Sequence, residues 1–287
     1  MNKRRRMWID RISRRDALLA LGAIAVVRAG AEEGLLRVTR VDHVGLAVGD
    51  IDKAMLFYRR LFGNEVLKDS RTPRRYLRLG PCYIAIAPAA PGEAKRIDHF
   101  ALGVENFDAA SMKHTLENAG LKVRESNVGL FVLDPDGNSV QIWADQSWKE
   151  LSNAAPDTGP KQATLFHARG MHHLAIQVND MAQATAFYRK LFGEPVPGQG
   201  NPPQPTFQAG ETRILLYNPA PNKPAKIDHF SALVDNFDAP SALEVVKSLG
   251  ANAQLSKQGT LNEVFDPDGI RLQVTFPGQT YGAPAQK

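Results

Sequence analysis

The chain opens its folded part with a strand of period two, in which apolar and other side chains alternate. In VDHVGLAV, Val44, Leu46 and Val48 fall on one face, while His43 and Gly45 fall on the other. An amphipathic helical run follows this strand, and further short alternating runs follow the helix. This order of patterns predicts a βαβββ module whose first strand packs its apolar face on the helix.

An aspartate precedes and a glycine follows each predicted helix. Asp50 is expected to cap a helix over 51–62, which Gly63 ends. The other three helices are expected to begin near Asp108, Asp180 and Asp238 and to end near Gly120, Gly193 and Gly250. The sequence therefore predicts four helices, one in each of four similar modules.

The modules form an internal repeat at an offset of about 130 residues. VDHVGLAVGDIDKAMLFYRRLFG at 41–63 recurs as MHHLAIQVNDMAQATAFYRKLFG at 171–193. IDHFALGVENFDA at 97–109 recurs as IDHFSALVDNFDA at 227–239, and DPDG occurs at 134–137 and 266–269. Repeats of this length indicate two homologous domains in tandem, each made of two modules, and an α+β fold. The D-P-D-G segments are interpreted as turns before the last strand, since they lack the spacing of a calcium-binding loop.

The repeat also sets the predicted domain boundaries. The linker is assigned from its Pro156, Gly159 and Pro160. The assignment is an export signal over 1–31, a first domain over 36–148, a linker over 149–168, a second domain over 169–280 and a tail over 281–287.

The charge distribution removes one class of function. The chain carries a net charge of +5 with a pI near 9.3, which by itself would favour a nucleic-acid partner. Residues 1–31 hold eight basic and two acidic side chains, a net +6, so 32–287 carry −1. We therefore predict no nucleic-acid partner. The single cysteine, Cys82, excludes an intrachain disulfide and a multi-cysteine zinc site.

The N-terminal segment has the parts of an export signal. Paired Arg14 and Arg15 precede an apolar run over 17–27, and small residues follow up to Ala31. The arginine pair resembles the twin-arginine signal, and eleven apolar residues are too few to span a bilayer, which needs roughly 20. The prediction is a periplasmic or secreted protein without a stable membrane anchor, cleaved near Ala31; the alternative is an ordinary amphipathic helix.

Histidines recur at one position of the repeat, on the strand face opposite the apolar stripe. Four of the seven histidines occupy it: His43, His99, His173 and His229. Such a histidine is either a structural residue hydrogen-bonded at a strand start or one of a set of ligands. The neighbouring His172 is expected to point away from the site.

The motifs D-H-x-x-L/A-x-V, F-Y-x-x-L-F-G and D-P-D-G, in paired modules, resemble those of the vicinal oxygen chelate superfamily of glyoxalases, bleomycin-resistance proteins and extradiol dioxygenases. The resemblance covers 36–280. It implies that each domain forms a cup-shaped mixed sheet with helices outside. It also implies metal ligands on the first and last strands, namely His43, His99 and Gln141 in the first domain and His173, His229 and Gln273 in the second.

Both domains depart from the family pattern at the third ligand, where glutamate is usual and glutamine stands here. A fourth family ligand falls near Ala85 and Leu215 and is absent. Two imidazoles and an amide leave a divalent ion at +2, so the metal should bind more weakly unless an anionic substrate supplies the missing charge. The implied cofactor is Fe, Mn, Zn or Ni.

The resemblance leaves two functions open. The first is a metal-dependent enzyme, dioxygenase-like or a glyoxalase-like lyase or isomerase, that chelates a small-molecule substrate through two adjacent oxygens. The second is a metal-free protein that binds or sequesters a small molecule, as bleomycin-resistance relatives do. The candidate substrate-pocket residues are Trp143, Gln177, Arg271 and Thr275. An oligomer is compatible with either function.

Overall fold

The structure is a computed structural model that describes residues 33–145, 154–198, 203–235, 238–255 and 261–277. The predicted export signal over 1–31, the start of the predicted linker over 149–153 and the predicted tail over 281–287 lie outside these residues. Residues 34–287 belong to one compact unit, and the fold described below is the fold of that unit.

The first sheet is built from two modules placed side by side. Its strands are β1 (Val38–Val48), β2 (Val66–Asp69), β3 (Arg75–Leu79), β4 (Cys82–Pro88), β5 (Arg96–Val104), β6 (Val123–Ser126), β7 (Gly129–Leu133), β8 (Ser139–Ala144) and β9 (Ala154–Pro156), in the order β6-β7-β8-β5-β1-β4-β3-β2-β9. Helix α1 (Ile51–Phe62) follows β1, and α2 (Ala109–Asn118) follows β5. The central β1–β5 pair is antiparallel, whereas β1–β4 and β5–β8 are parallel.

The second sheet repeats this plan. Its strands are β10 (Ala168–Gln177), β11 (Thr206–Ala209), β12 (Thr212–Tyr217), β13 (Lys226–Val234), β14 (Asn252–Gln254), β15 (Leu261–Phe265) and β16 (Arg271–Thr275), in the order β11-β12-β10-β13-β16-β15-β14. Helix α3 (Met181–Phe192) follows β10, and α4 (Ala239–Ser248) follows β13. The predicted α+β class, with two tandem domains of mixed sheet, is confirmed.

The third module is the one that differs from the βαβββ prediction. In the described part of the segment between α3 and β11, the expected strand is represented by one bridge, between Val196 and Thr206. Pro195 and Pro197 flank Val196, and neither has the backbone N–H that a longer ladder would need.

The helix starts follow the sequence prediction closely. Asp50 accepts the N–H of Lys53, and Asp108, Asp180 and Asp238 accept equivalent bonds in the other helices. Caps of this kind each stabilise a helix by about 1 kcal/mol. Gly63 ends α1 with a φ of 120°, where a side chain would be strained. Among the described residues, no helix is long and apolar enough to cross a membrane.

The apolar face of β1 lies in the main core, as its pattern predicts. Val44 and Leu46 are at most 1% exposed and belong to the same core as Phe57 and Leu61 of α1. The opposite face of each sheet is therefore the one that carries the histidines.

Two buried tyrosines join the two domains reciprocally. The hydroxyl of Tyr58 on α1 donates to Asp266 at 3.0 Å, and that of Tyr188 on α3 donates to Asp134 at 3.0 Å. Both aspartates open a D-P-D-G turn, and each also accepts backbone N–H groups from its own turn. The predicted turns are present, and in addition they anchor each domain to the helix of the other.

The described part of the predicted linker completes the edge of the first sheet. Strand β9 pairs antiparallel with β2. The carboxylate of Asp157, just after β9, contacts Arg59 at 2.9 Å and Arg75 at 3.2 Å. An edge that would otherwise expose unpaired backbone groups is thereby covered.

Candidate functional site

The first sheet brings two of the predicted ligands together on its inner face. His43 on β1 lies opposite Ala101, and His99 on β5 lies opposite Gly45, so the two imidazoles are diagonal neighbours across the central strand pair. Their Nε2 atoms are 3.1 Å apart, and their ring planes are nearly perpendicular, at 87°. Two imidazoles that bind one ion at about 2.0–2.1 Å, with an angle between 90° and 110°, have nitrogens about 2.9–3.4 Å apart. The pair therefore has the separation that a shared metal requires.

Gly45 makes this approach possible. A Cβ atom at this position would lie 2.2 Å from Cε1 of His99. The His99 ring occupies the space directly above the strand, so a larger residue would displace it from His43. The glycine is therefore part of the site.

We call the inner face of the first sheet around His43 and His99 the first cup, and the equivalent face of the second sheet around His173 and His229 the second cup. In the first cup, a carboxylate is hydrogen-bonded to the second nitrogen of each imidazole. Nδ1 of His43 is 2.9 Å from Asp42, and Nδ1 of His99 is 3.0 Å from Asp98. When Nδ1–H is donated to a carboxylate, Nε2 carries the lone pair and is the nitrogen that can bind a metal. The hydrogen bond with His99 lowers the pKa of Asp98 despite partial burial, so this carboxylate stays ionised.

Asp42 adds a second indication of a cation. Its side chain is fully buried and the Tyr83 hydroxyl interacts with it, but its Oδ2 atom completes no hydrogen bond among the described residues. A buried carboxylate without full pairing is costly, and a positive charge held at His43 would compensate it. The residues of the first cup thus fit a divalent metal.

The second sheet repeats the imidazole pair with a different partner set. Nε2 of His173 on β10 is 3.2 Å from Nε2 of His229 on β13. Asp228 holds Nδ1 of His229 at 2.8 Å, but His172 contacts Nδ1 of His173 at 2.8 Å, where the first cup has a carboxylate. Burial lowers the pKa of His173 well below its usual value, and the neighbouring His229 and His172 lower it further.

The two predicted glutamine ligands are placed differently. Gln273 on β16 lies opposite Ser231, and its side chain is hydrogen-bonded to His173. Gln141 on β8 lies opposite Ala101, and its amide nitrogen donates to the carbonyl oxygen of Val128. This bond identifies Oε1 as the atom of Gln141 that remains to act as a ligand.

The protein offers few further ligands in either cup. Across the described ranges, no group of three or more His, Cys, Asp or Glu side chains is arranged to hold a metal. Ala85 on β4 lies beside Gly45, and Leu215 on β12 lies beside Ala175, so the fourth family position carries no donor. The candidate third ligand in each cup is therefore the amide oxygen of Gln141 or Gln273.

The four predicted pocket residues occupy different places. Trp143, partly buried, lies opposite Gly103 on the inner face, two residues beyond the glutamine of β8. Gln177 ends β10, and its buried Oε1 has no hydrogen-bond partner in the described part of the chain. Two others are held by neighbouring side chains: Arg271 by Asp228 at 2.7 Å and Thr275 by Ser231 at 2.6 Å. Their role in substrate binding stays a prediction.

Aromatic rings surround the imidazoles of the first cup. Tyr83 stacks on His43 with ring centres 4.7 Å apart, and Phe131 meets His99 edge-on at 6.1 Å. Tyr76 packs edge-on against Tyr83 at 5.6 Å. Burial raises the pKa of Tyr83 far above its usual value, so its hydroxyl stays protonated. The cup is therefore walled by flat, largely apolar surfaces.

The aspartates behind the histidines are the functional residues that the sequence analysis missed. Neighbours on a regular strand point to opposite faces, so Asp42 and Asp98 were not expected to touch the histidines that follow them. The β1–β5 ladder has a register shift at each of these residues, and the β10–β13 ladder has the same shifts at His172 and Asp228. A bulge redirects the side chain. The only sequence signal is the repeated Asp-His pair.

A protein-family model matches both domains of the chain. The model described as Glyoxalase/Bleomycin resistance protein/Dioxygenase superfamily matches residues 40–142 and 170–274. A relative described as glutathione transferase FosA, from Serratia marcescens, is 25% identical over 111 residues, which are 36% of this chain and 78% of the relative.

Solved structures show the same fold. A catechol 2,3-dioxygenase has a TM-score of 0.61 at 18% identity over 88% of this chain and 91% of its own. The Mn(II)-bound glyoxalase from Novosphingobium aromaticivorans has a TM-score of 0.59 at 16% identity over 84% of this chain and 83% of its own. This chain spans about half (54%) of a xylose isomerase-like TIM barrel/4-hydroxyphenylpyruvate dioxygenase fusion protein, with a TM-score of 0.61 at 14% identity over 93% of this chain. The two matched segments and the shared fold show that the chain belongs to the glyoxalase/bleomycin resistance protein/dioxygenase superfamily.

Proposed function

We propose that this protein is a metal-dependent enzyme acting on a small molecule that presents two adjacent oxygen atoms. The observation that carries the proposal is the pair of Nε2 atoms in each cup, 3.1 Å apart in the first and 3.2 Å apart in the second. The metal is Fe, Mn, Zn or Ni. When bound, such an ion supplies Lewis acidity toward substrate oxygens or open positions for dioxygen.

The names of the similar proteins support this class of function. They include a catechol 2,3-dioxygenase, a Mn(II)-bound glyoxalase and a glutathione transferase. The reaction of this chain is accordingly either a dioxygenase-like oxidation or a glyoxalase-like lyase or isomerase reaction.

The residues of the cups have distinct tasks in this proposal. Asp42 and Asp98 orient the imidazoles and make them more basic ligands. Tyr83 fixes the ring of His43 by stacking and, with its neighbours, excludes water from the pocket. An amide in place of a carboxylate keeps the site more positive, which favours an anionic substrate such as a catecholate, an enediolate or a carboxylate.

One observation favours the competing function, a metal-free protein that binds or sequesters a small molecule. The amide of Gln141 is hydrogen-bonded to the carbonyl of Val128, and the cup has no carboxylate ligand at this position. A pocket lined by aromatic rings and two imidazoles can hold a flat ligand without an ion.

Metal analysis of the folded full chain separates the two functions. We expect stoichiometric metal after purification, lost in a variant with His43→Ala, His99→Ala, His173→Ala and His229→Ala. The matched control is His114→Ala, because His114 is exposed on α2, where it is hydrogen-bonded to Asn118. If the wild-type chain holds no metal and micromolar Fe, Mn, Zn and Ni fail to bind, the metal-dependent function is refuted.

We also propose export of the folded protein to the periplasm or the medium. The support is the sequence alone: Arg14 and Arg15 before an apolar run of eleven residues, with all the excess positive charge in 1–31. The remaining chain is close to neutral, which fits a small-molecule partner better than a nucleic acid.

A further inference from the structure

The two cups have the same fold but not the same charges behind the histidines. In the first cup, the residue behind His43 is the buried carboxylate Asp42; in the second, the residue behind His173 is His172. A carboxylate makes an imidazole a stronger metal ligand, and a neutral imidazole in its place does not. The first cup is therefore the better cation site at this position.

The strand partner of the second histidine differs as well. His99 lies beside Ser139 on β8, whereas His229 lies beside Arg271 on β16. Arg271 contacts Asp228 at 2.7 Å and thereby neutralises the carboxylate that holds His229. An arginine at this position also places a permanent positive charge next to the imidazole pair, which opposes a second cation.

Other charges near the cups do not reverse this difference. Arg96 contacts Asp98 at 2.6 Å, and its counterpart Lys226 contacts Asp228 at 3.5 Å, so these two match each other. Glu263, about half exposed, lies 3.8 Å from Arg271 and is too solvated to cancel it. Arg74 acts on His99 in the first cup, and Arg213 acts on His172 in the second, so these two arginines also match each other. Counting all these groups, the first cup is neutral and the second carries two positive charges.

The residues that surround the imidazole pairs also differ between the cups. Tyr83, which stacks on His43, lies beside it on β4; the equivalent residue beside His173 on β12 is Arg213. The position of Tyr76 is taken by Thr206. The first cup thus encloses its imidazoles with rings, while the second replaces a ring with another cation.

We infer that the metal occupies the first cup, between His43 and His99, and that the second cup does not hold one. The inference rests on the proposed metal-dependent function and adds to it the domain that carries the site. Loss of one outer hydrogen-bond partner lowers metal affinity about 10- to 100-fold. The second cup lacks one such partner, at His173, and carries Arg271 besides, so we expect the first cup to bind about a hundredfold more tightly.

The test is a titration of the metal-free full chain with Zn²⁺ alone, followed by calorimetry and elemental analysis. We expect one tight ion per chain. His99→Ala should abolish it, and the matched variant His229→Ala should leave its affinity within about twofold. Circular dichroism and the melting temperature verify that both variants are folded.

A second pair of variants tests the charges independently of ligand removal. His172→Asp with Arg271→Ser gives the second cup the outer residues of the first, and we expect the stoichiometry to rise from one to two. Ser139→Arg gives the first cup the arginine of the second, and we expect at least a tenfold loss of affinity.

The outcomes separate the inference from the function it rests on. Two ions of equal affinity in the wild type, or a single ion lost in His229→Ala and retained in His99→Ala, overturn the inference and leave the metal-dependent function standing. A wild-type chain that binds no ion overturns both.

Discussion

Removal of the Tyr58 hydroxyl is expected to destabilise the whole two-domain unit. Tyr58 is fully buried, and its hydroxyl donates at 3.0 Å to Asp266, which is 4% exposed. A hydrogen bond to a charged group contributes about 1.5–3 kcal/mol. For a unit of this size, a change of 1 kcal/mol shifts the melting temperature by about 2–4 °C. Tyr58→Phe should therefore lower the melting temperature by about 3–12 °C.

The effect of Tyr58→Phe should depend on pH, because Asp266 titrates. Burial raises the pKa of Asp266, and the bonds from its own turn and from Tyr58 partly offset this. A raised carboxyl pKa means that ionisation costs stability, and this cost appears as the pH rises through the folded-state pKa. The Tyr58 hydroxyl stabilises the ionised form, so its loss should destabilise the protein more at pH 7 than at pH 4.

The assays are thermal unfolding, which gives the melting temperature, and urea unfolding at both pH values, which gives the free energy of unfolding. Tyr188→Phe is the reciprocal variant, because Tyr188 makes the same bond to Asp134. A melting temperature unchanged within about 1 °C, or a loss that is equal at both pH values, would refute the reasoning that these bonds fasten the domains together.

Three further predictions concern metal binding, the pH dependence of stability and export of the protein. Gly45→Ala should weaken Zn²⁺ binding by about tenfold or more, since a Cβ would lie 2.2 Å from the His99 ring; calorimetry measures it, and an unchanged affinity would contradict the close approach. The metal-free protein should lose stability as the pH falls below about 6.5, because burial lowers the pKa of His173 and only the unfolded chain takes up the proton there; urea unfolding at pH 5.5 and 7.5 tests this, and equal stability would exclude it. Arg14→Lys with Arg15→Lys should leave the full-length chain in the cytoplasm of a bacterial host with a twin-arginine system, as cell fractionation would show; normal export of the variant would count against this signal.

The parts of the fold that depend on local pattern were predictable from the sequence. The helix over 51–62 begins after Asp50 and ends before Gly63, as expected, because capping and turn chemistry act within a few residues. The face carrying His43 and His99 was also correct, since strand alternation has a fixed period.

The parts that depend on register were not predictable. Asp42 reaches His43 only through a bulge, and Tyr58 reaches Asp266 only when the second domain packs on α1. Neither the bulge nor the domain packing has a recognisable local sequence pattern, apart from the repeated Asp-His pair at the bulges. The shortened strand at Val196 is an exception, because its flanking prolines were visible in the sequence.

The differences between the two cups were only partly predictable from the sequence. His172 and Arg271 were visible as departures from the repeat, but their contacts with His173 and Asp228 needed the strand ladder. A sequence repeat shows which positions correspond, and the structure shows which of the differences touch the ligands.

The most direct test of the account is a crystal structure of the full chain grown with Zn²⁺, with anomalous scattering measured on both sides of the zinc absorption edge. We expect one strong anomalous peak in the first cup, about 2.0–2.1 Å from Nε2 of both His43 and His99, and none between His173 and His229. A peak confined to the second cup, or no peak in either, would contradict it.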